Sequence, residues 1–228
     1  MPSPYFSPAT FHFLSALAAN NQRDWFLAHK PDYERNARDP ALRLIEDLRE
    51  PMRAISEQFV PDPRTTGGSL FRIYRDARFS NNKSPYKTHL GVRIRHSSAR
   101  LRPAPSFYLH IDPAGSFIGG GMWSPEPKVL KTLRDFLVEN PASWIAATQS
   151  PAFKSVFALH SDQLTRAPRG YPSDHPLLED LKRRHLVALS GLTEDQLKSG
   201  DLLALVIERF SAMAGLMDYL CAALELEF

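Results

Sequence analysis

The spacing of hydrophobic positions changes twice along the chain, and these changes predict the order of the structural elements. Up to about residue 58, apolar residues recur three or four positions apart, which is typical of amphipathic helices. From about 69 to 120 they alternate with polar residues, as in strands with one buried face. From about 125 to 225 the helical spacing returns. The chain is therefore predicted to be an α+β protein, with an antiparallel sheet in the middle packed against N-terminal and C-terminal helices.

Prolines and capping residues predict several helix boundaries. The first helix should follow Pro8 and stop at Asn20. Pro31 should kink or interrupt the second helix, because proline lacks the N–H that the helix needs. Ser124, followed by Pro-Glu, is predicted to cap the first helix after the sheet. Since no linker or repeat is visible, residues 1–228 are expected to form a single domain.

Alternating segments predict the strands and the two faces of the sheet. The segments are LFRIYR at 70–75, LGVRIR at 90–95 and FYLHID at 107–112, and a fourth, short strand, SFIGG at 116–120, is expected after the turn at 113–115. Residues two apart in a strand point to the same side. One face should therefore be apolar and covered by helices, while the other carries Arg93 and Arg95 beside His110 and Asp112.

Charge is concentrated in this predicted sheet. The whole chain has 28 Lys and Arg against 25 Asp and Glu, a formal net charge of +3. Residues 64–102 contain ten of the basic side chains and only one acid, Asp76, so this segment carries +9 and the remainder −6. Such a local positive potential is either directed at an anionic partner or balanced by acidic neighbours.

The segment 72–89, RIYRDARFSNNKSPYKTH, is the most chemically loaded part of the chain. Guanidinium and ammonium groups bind phosphate and carboxylate, and the hydroxyls of Ser80 and Ser84 can complete the hydrogen bonds. We therefore expect a pocket for a phosphorylated or carboxylated small molecule, with residues of the first helices nearby. The predicted ligand-binding residues are Arg72, Arg75, Arg78, Lys83, Tyr86, Lys87, Asn20, Asn21, Arg23 and Trp25.

The residues leave open whether this site only binds or also catalyses. For catalysis, the candidate proton carriers are Asp76, His89 and His110, with arginines stabilising the developing charge. A simpler role for Asp76, between two arginines, is to pair with them and orient them. His110 and Asp112 resemble two metal ligands, but the sequence shows no recognisable third. A hydrogen-bonded pair is therefore favoured, and neither a metal nor a cofactor is predicted.

Two other functions remain open. In a nucleic-acid-binding module, the basic face would follow phosphates while Tyr74, Tyr86 or Tyr108 stacks on bases. This alternative is less favoured because the cations concentrate in one segment rather than along a stripe. In a structural or protein-interaction module, the basic segment would pair internally with the acidic remainder. The oligomeric state does not follow from the sequence.

The remaining features exclude several classes of protein. A single cysteine, Cys221, allows no intramolecular disulfide and favours a reducing compartment. The N-terminus lacks the pattern of a signal peptide. The apolar run at 202–224 contains charged residues and is better suited to a core helix than to a membrane span. We expect a cytoplasmic protein without a membrane partner. No GxSxG, HExxH or CxxC motif is present.

Four blocks of the sequence resemble one known family. They are FLSALAANNQRDWFLAHKPDY at 13–33, RIYRDARFSNNKSPYKTHLG at 72–91, FIGGGMWSPEP at 117–127 and LTRAPRGYPSDHP at 164–176. Together and in this order they are similar to the domain of unknown function 2461 family, with Pro31 departing from the usual helical residue. The resemblance implies a mostly bacterial, soluble, single-domain protein whose blocks meet in space, and it implies no particular activity.

Overall fold

The computed structural model describes residues 3–76, 78 and 83–228. Its N-terminal part is helical, as predicted. The helices are α1 (Pro8–Ala19), α2 (Arg23–Ala28), α3 (Lys30–Tyr33), α4 (Asp39–Asp47) and α5 (Arg49–Arg53). A π-helical turn, Glu34–Arg38, connects α3 to α4.

Local sequence explains the first boundaries. α1 ends where the Asn20 backbone N–H and side-chain amide both donate to the carbonyl of Ala16. α2 stops at Ala28, and Pro31 lies in the first turn of α3. A missing N–H costs little there, because the first helical N–H groups have no partner within the helix. The predicted interruption at Pro31 is confirmed.

Within the described residues, one antiparallel sheet runs in the order β1-β2-β3-β4-β6-β5. The strands are β1 (Phe59–Val60), β2 (Leu90–His96), β3 (Ser106–Ile111), β4 (Ser116–Met122), β5 (Ala158–Leu159) and β6 (Leu186–Leu192). The 3₁₀ turn Ser97–Arg100 follows β2. β2, β3 and β4 are consecutive neighbours, whereas β6 reaches β4 from the C-terminal part of the chain.

The sheet differs from the sequence prediction in the segment 70–75 and in β1, β5 and β6, which lie outside the predicted range of about 69–120. The segment 70–75 is not a continuous strand, because Leu70 and Tyr74 make only isolated bridges. β5 and β6 come from the region predicted to be helical. In β6 the successive residues Leu186, Val187 and Ala188 are all buried, so no alternation marks this strand. A short continuous apolar run is compatible with either a strand or a buried helix.

The C-terminal helices surround β6 in the sequence. They are α6 (Pro127–Glu139), α7 (Pro141–Gln149), α8 (Pro151–Val156), α9 (Leu178–Leu181), α10 (Glu194–Leu197), α11 (Leu202–Ala212) and α12 (Ala214–Ala223). The prediction that Ser124 caps α6 is wrong, because Glu126 is the N-cap. Ser124 instead has a φ of 45°, in the left-handed region, just after β4 ends.

The apolar side of the sheet packs against both groups of helices. Phe210 of α11 contacts Phe107 of β3 with ring centroids 4.7 Å apart, and α4 contacts β2. Met213 lies so close to Gly120 of β4 that a side chain at Gly120 would collide with its sulfur. The predicted α+β class is therefore confirmed. No helix in the described part of the chain is long and apolar enough to cross a bilayer.

The other side of the sheet carries the polar residues of the alternating pattern. Cross-strand pairing sets Arg93 opposite Tyr108 and Gly91 opposite His110. Phe117 of β4 follows next to His110. We call this side the polar face, and it is formed by Gly91, Arg93, Arg95, Ser106, Tyr108, His110 and Phe117.

Candidate functional site

The two described ends of the basic segment 72–89 pair with each other beside the sheet. Tyr74 pairs with Tyr86, and the N–H of Lys87 donates to the carbonyl of Ile73 at 2.8 Å. Residues 77 and 79–82, including Ser80, lie outside the described residues. We call residues 72–76, 78 and 83–87 the basic arm.

Several side chains of the basic arm bind the arm itself. The Lys87 ammonium donates to the carbonyls of Arg72 and Tyr74, each at 2.8 Å. Burial, together with Arg72 and Arg75, lowers the pKa of Lys87. Asp76 accepts from the Arg78 guanidinium at 2.9 and 2.7 Å, and these hydrogen bonds lower the pKa of Asp76. Asp76 thus pairs with a neighbouring arginine.

Residues from the first helices hold the basic arm in place. The Asn21 side chain makes two hydrogen bonds of 3.0 Å, one to the N–H and one to the carbonyl of Tyr86. The buried Tyr86 ring stacks on Phe26 with centroids 4.1 Å apart. The first two sequence blocks are therefore in contact. Of the other predicted residues, Arg23 is exposed, and Trp25 stacks on His29 at 4.1 Å.

Three side chains of types that can bind metal ions meet at one end of the polar face. The potential ligand atoms of His89, His110 and Asp112 all lie within 4.8 Å of one another. The rings of His89 and His110 have centroids 4.4 Å apart, and His110 also stacks on Phe117 at 4.7 Å. Tyr108 Oη lies 3.1 Å from Nδ1 of His110.

Burial favours the neutral form of both of these imidazoles. The pKa of His89 is lowered to about 4, chiefly by burial and next by the neighbouring His110. Burial also lowers the pKa of His110, although Asp112 opposes this shift. A neutral imidazole has a free nitrogen lone pair, which can accept a proton or bind a metal ion.

A cavity of about 460 Å³ lies at the other end of the polar face. Its lining includes the cationic and polar residues Arg93, Arg95, Arg100, Arg102, Ser106, Trp123, Ser124 and Glu126. The Nε atoms of Arg93 and Arg95 are buried and have no hydrogen-bond partner among the described residues. The Arg93 guanidinium lies over the Phe71 ring, 5.5 Å from its centroid. The pKa of Arg93 is lowered, chiefly by burial and to a smaller extent by the neighbouring charge of Arg95.

Aromatic and histidine side chains from distant segments meet beside this cavity. Trp123 stacks on His185 with centroids 4.3 Å apart and meets the edge of His160 at 5.0 Å. His185 Nδ1 accepts from the N–H of Ser124 at 2.9 Å, and its Nε2 lies 3.2 Å from Asp162. These contacts hold Trp123 and Ser124 at the cavity.

Part of this arrangement was predictable from the sequence. Alternation predicted that Arg93 and Arg95 share a face with His110 and Asp112, which the strand register bears out. It did not group His89 with the latter pair, and it missed the cavity residues Arg100, Arg102 and Trp123. The only available signal for Trp123 was its place in the third of the four sequence blocks.

The fold and these two clusters define a class of α+β proteins whose antiparallel sheet presents a polar, partly cationic face opposite its helices. The family described as "Conserved hypothetical protein (DUF2461)" matches residues 9–219, and the chain belongs to this family. No curated protein and no solved structure matches the chain.

Proposed function

We propose that the protein binds an anionic small molecule, phosphorylated or carboxylated, in the cavity beside Arg93 and Arg95. The observation that carries the proposal is the pair of buried Nε atoms that lack a partner among the described residues. Leaving such a donor unsatisfied in the folded state costs about 1–3 kcal/mol. An anion that accepts from the guanidinium groups of both arginines would offset this cost.

The chemistry of the cavity suits such a ligand. Arg93 and Arg95 stand two residues apart on one side of β2, so their like charges repel and an anion between them is favoured. Guanidinium groups offer planar, paired donors to phosphate or carboxylate. Ser106 adds a hydroxyl and Trp123 a flat apolar wall. The volume lies within the ~300–1,000 Å³ common for small-molecule sites.

In this proposal, the basic arm helps attract the ligand. Arg72, Arg75, Arg78 and Lys83 contribute to the +9 charge of residues 64–102, which favours the approach of an anion over a longer distance. Tyr86 and Asn21 position the arm through their mutual hydrogen bonds. None of the sequence-predicted ligand-binding residues lines this cavity, so the proposed site lies further along the sheet than the predicted pocket.

A ligand titration tests this proposal. Phosphate, pyrophosphate, citrate and ATP are titrated by calorimetry and by thermal unfolding into the wild type, Arg95→Gln and the control Arg53→Gln. Arg53 is exposed, pairs with Glu50 on α5 and does not line the cavity. A ligand at about 100 times its Kd should raise the free energy of unfolding by about 2.7 kcal/mol. Because a hydrogen bond to a charged group contributes about 1.5–3 kcal/mol, Arg95→Gln should weaken binding about tenfold to a hundredfold.

The control variant should bind like the wild type. Absence of binding by all four anions, or equal binding by Arg95→Gln and Arg53→Gln, would contradict the proposal. A single-stranded oligonucleotide is the contrasting ligand. If it alone binds, with an affinity that falls steeply as salt rises, the nucleic-acid alternative replaces the small-molecule site.

A further inference from the structure

The register of the sheet brings three potential ligands together at the end of two neighbouring strands. Leu90 pairs with Ile111 and Gly91 with His110. Continued by one residue, this pairing sets His89 opposite Asp112. His110 and Asp112 are two residues apart and therefore share a side of their strand. The convergence is thus built into the strand pairing and does not require a flexible loop.

The distances indicate more than a simple polar contact. His110 Nε2 lies 3.7 Å from Asp112 Oδ2, which is too long for a hydrogen bond. Two ligands that each lie about 2.1 Å from a tetrahedral ion are about 3.4 Å apart. The spacing of this pair is close to that value, and the atoms of His89 complete a group within 4.8 Å. Small side-chain rotations would bring all three to a common ion.

The surroundings fix the orientation of His110. Its Nδ1 faces Tyr108 Oη at 3.1 Å, so Nε2 is the nitrogen that faces Asp112. Stacking on Phe117, with rings inclined by 15°, restricts rotation of the imidazole. A hydrogen bond to the non-ligating nitrogen and a packed ring are typical of histidines that bind metals. Asp112 is also oriented, because its Oδ1 accepts from the N–H of Ala114 at 2.8 Å.

We infer that His89, His110 and Asp112 form a binding site for a divalent first-row transition-metal ion. Two imidazoles and one carboxylate are a donor set that suits Zn²⁺ and Fe²⁺ rather than the all-oxygen sites of Ca²⁺ or Mg²⁺. Three protein ligands leave coordination positions for water or a substrate. The inference is independent of the proposed anion site, since His110 and Ser106 are four residues apart on β3, about 13 Å.

Metal titration of the untagged, chelator-treated full chain tests the site. Zn²⁺ is followed by calorimetry, and Co²⁺ by its visible absorption, which reports the ligand geometry. The variant Asp112→Asn keeps an oxygen for the Ala114 N–H and should therefore fold. The matched controls are Asp174→Asn and His12→Gln, both of exposed residues. His89→Gln is the second test variant.

The wild type and both controls are expected to bind one ion per chain. Asp112→Asn and His89→Gln should each weaken Zn²⁺ binding at least about tenfold and change the Co²⁺ spectrum. Binding that survives both substitutions, or that is lost in His185→Gln instead, would overturn the inference. Failure of the wild type to bind either ion would overturn it as well. The outcome of the metal titration does not depend on the anion titration, whose test variant is Arg95→Gln.

Discussion

At the scale of single residues, Gly91 determines how closely the aromatic side chains of the polar face approach one another. A Cβ atom at this position would lie 2.6 Å from Tyr108 Oη and 2.9 Å from Phe71 Cδ2. Tyr108 in turn contacts His110. The absence of a side chain at Gly91 therefore lets Phe71 and Tyr108 pack directly over the strand.

The substitution Gly91→Ala should destabilise the protein by about 1–3 kcal/mol, because the added methyl group overpacks this contact. Gly115→Ala is the control, since a Cβ there meets nothing within 4 Å. Urea unfolding followed by circular dichroism measures both variants. Equal midpoints for the two variants would show that the face can relax around the methyl group.

Because of Tyr33, the free energy of unfolding should change with pH in the alkaline range. Burial raises the pKa of this phenol to about 12, whereas a tyrosine in the unfolded chain titrates near 10. The folded state therefore holds the proton more tightly. Its contribution to stability is complete below pH 10 and is lost as the pH rises towards 12.

We expect the wild type to lose on the order of 2 kcal/mol more stability than Tyr33→Phe between pH 9 and pH 12. The control is Tyr74→Phe, at an exposed position. Denaturant unfolding at both pH values gives the comparison. A loss of stability in Tyr33→Phe as large as in the wild type would assign the alkaline transition to other groups.

Individual site residues were predictable where the geometry of a single strand determines which side chains share a face. The two-residue period correctly grouped Arg93 with Arg95 and His110 with Asp112. His89 could not be added to the second pair from the sequence, because its position depends on the register between β2 and β3. The register is a tertiary property that one strand does not encode.

At the scale of elements, the contact between the first helices and the basic arm depends on one amide. Asn21 lies between α1 and α2 and satisfies both backbone groups of Tyr86. The neighbouring Phe26–Tyr86 stack adds apolar contact. This junction is where the helical and basic blocks of the sequence meet.

Asn21→Ala should lower the free energy of unfolding by about 1–3 kcal/mol, because it leaves the Tyr86 backbone groups without these partners. It should also speed trypsin cleavage at Lys87 by loosening the basic arm. The exposed neighbour Gln22 supplies the control Gln22→Ala. Unchanged stability and cleavage in Asn21→Ala would show that aromatic packing alone holds the arm.

Helix and strand assignments were most reliable where the hydrophobic period was clean. α1, β2 and β3 follow the predicted pattern closely, whereas β4 was predicted from the turn that precedes it. β6 escaped prediction because three consecutive buried residues remove its alternation. The continuous strand predicted at 70–75 is reduced to isolated bridges at Leu70 and Tyr74, because an alternating sequence does not guarantee a full set of strand hydrogen bonds.

At the scale of the whole molecule, the sheet separates two kinds of chemistry. The apolar side anchors both helical groups, and the polar face has an imidazole–carboxylate cluster at one end and arginines at the other. The class of fold and the location of positive charge were predictable from composition and period. The cavity was not, because loop 100–105 and Trp123 reach it from segments that are separate in the sequence.

The position of β6 in the sheet has a consequence for the order of folding. β2, β3 and β4 are joined by short connections, so their pairing requires little loss of chain entropy. Residues 123–185 must be synthesised and brought back before β6 can pair with β4. The helices that cover Phe107 follow later still. During vectorial synthesis the three-stranded meander therefore emerges after the N-terminal helices but before the C-terminal ones, so the part of its apolar side that α11 covers is still exposed. The slow, long-range closure by β6 then sets the period during which a nascent chain needs protection from aggregation.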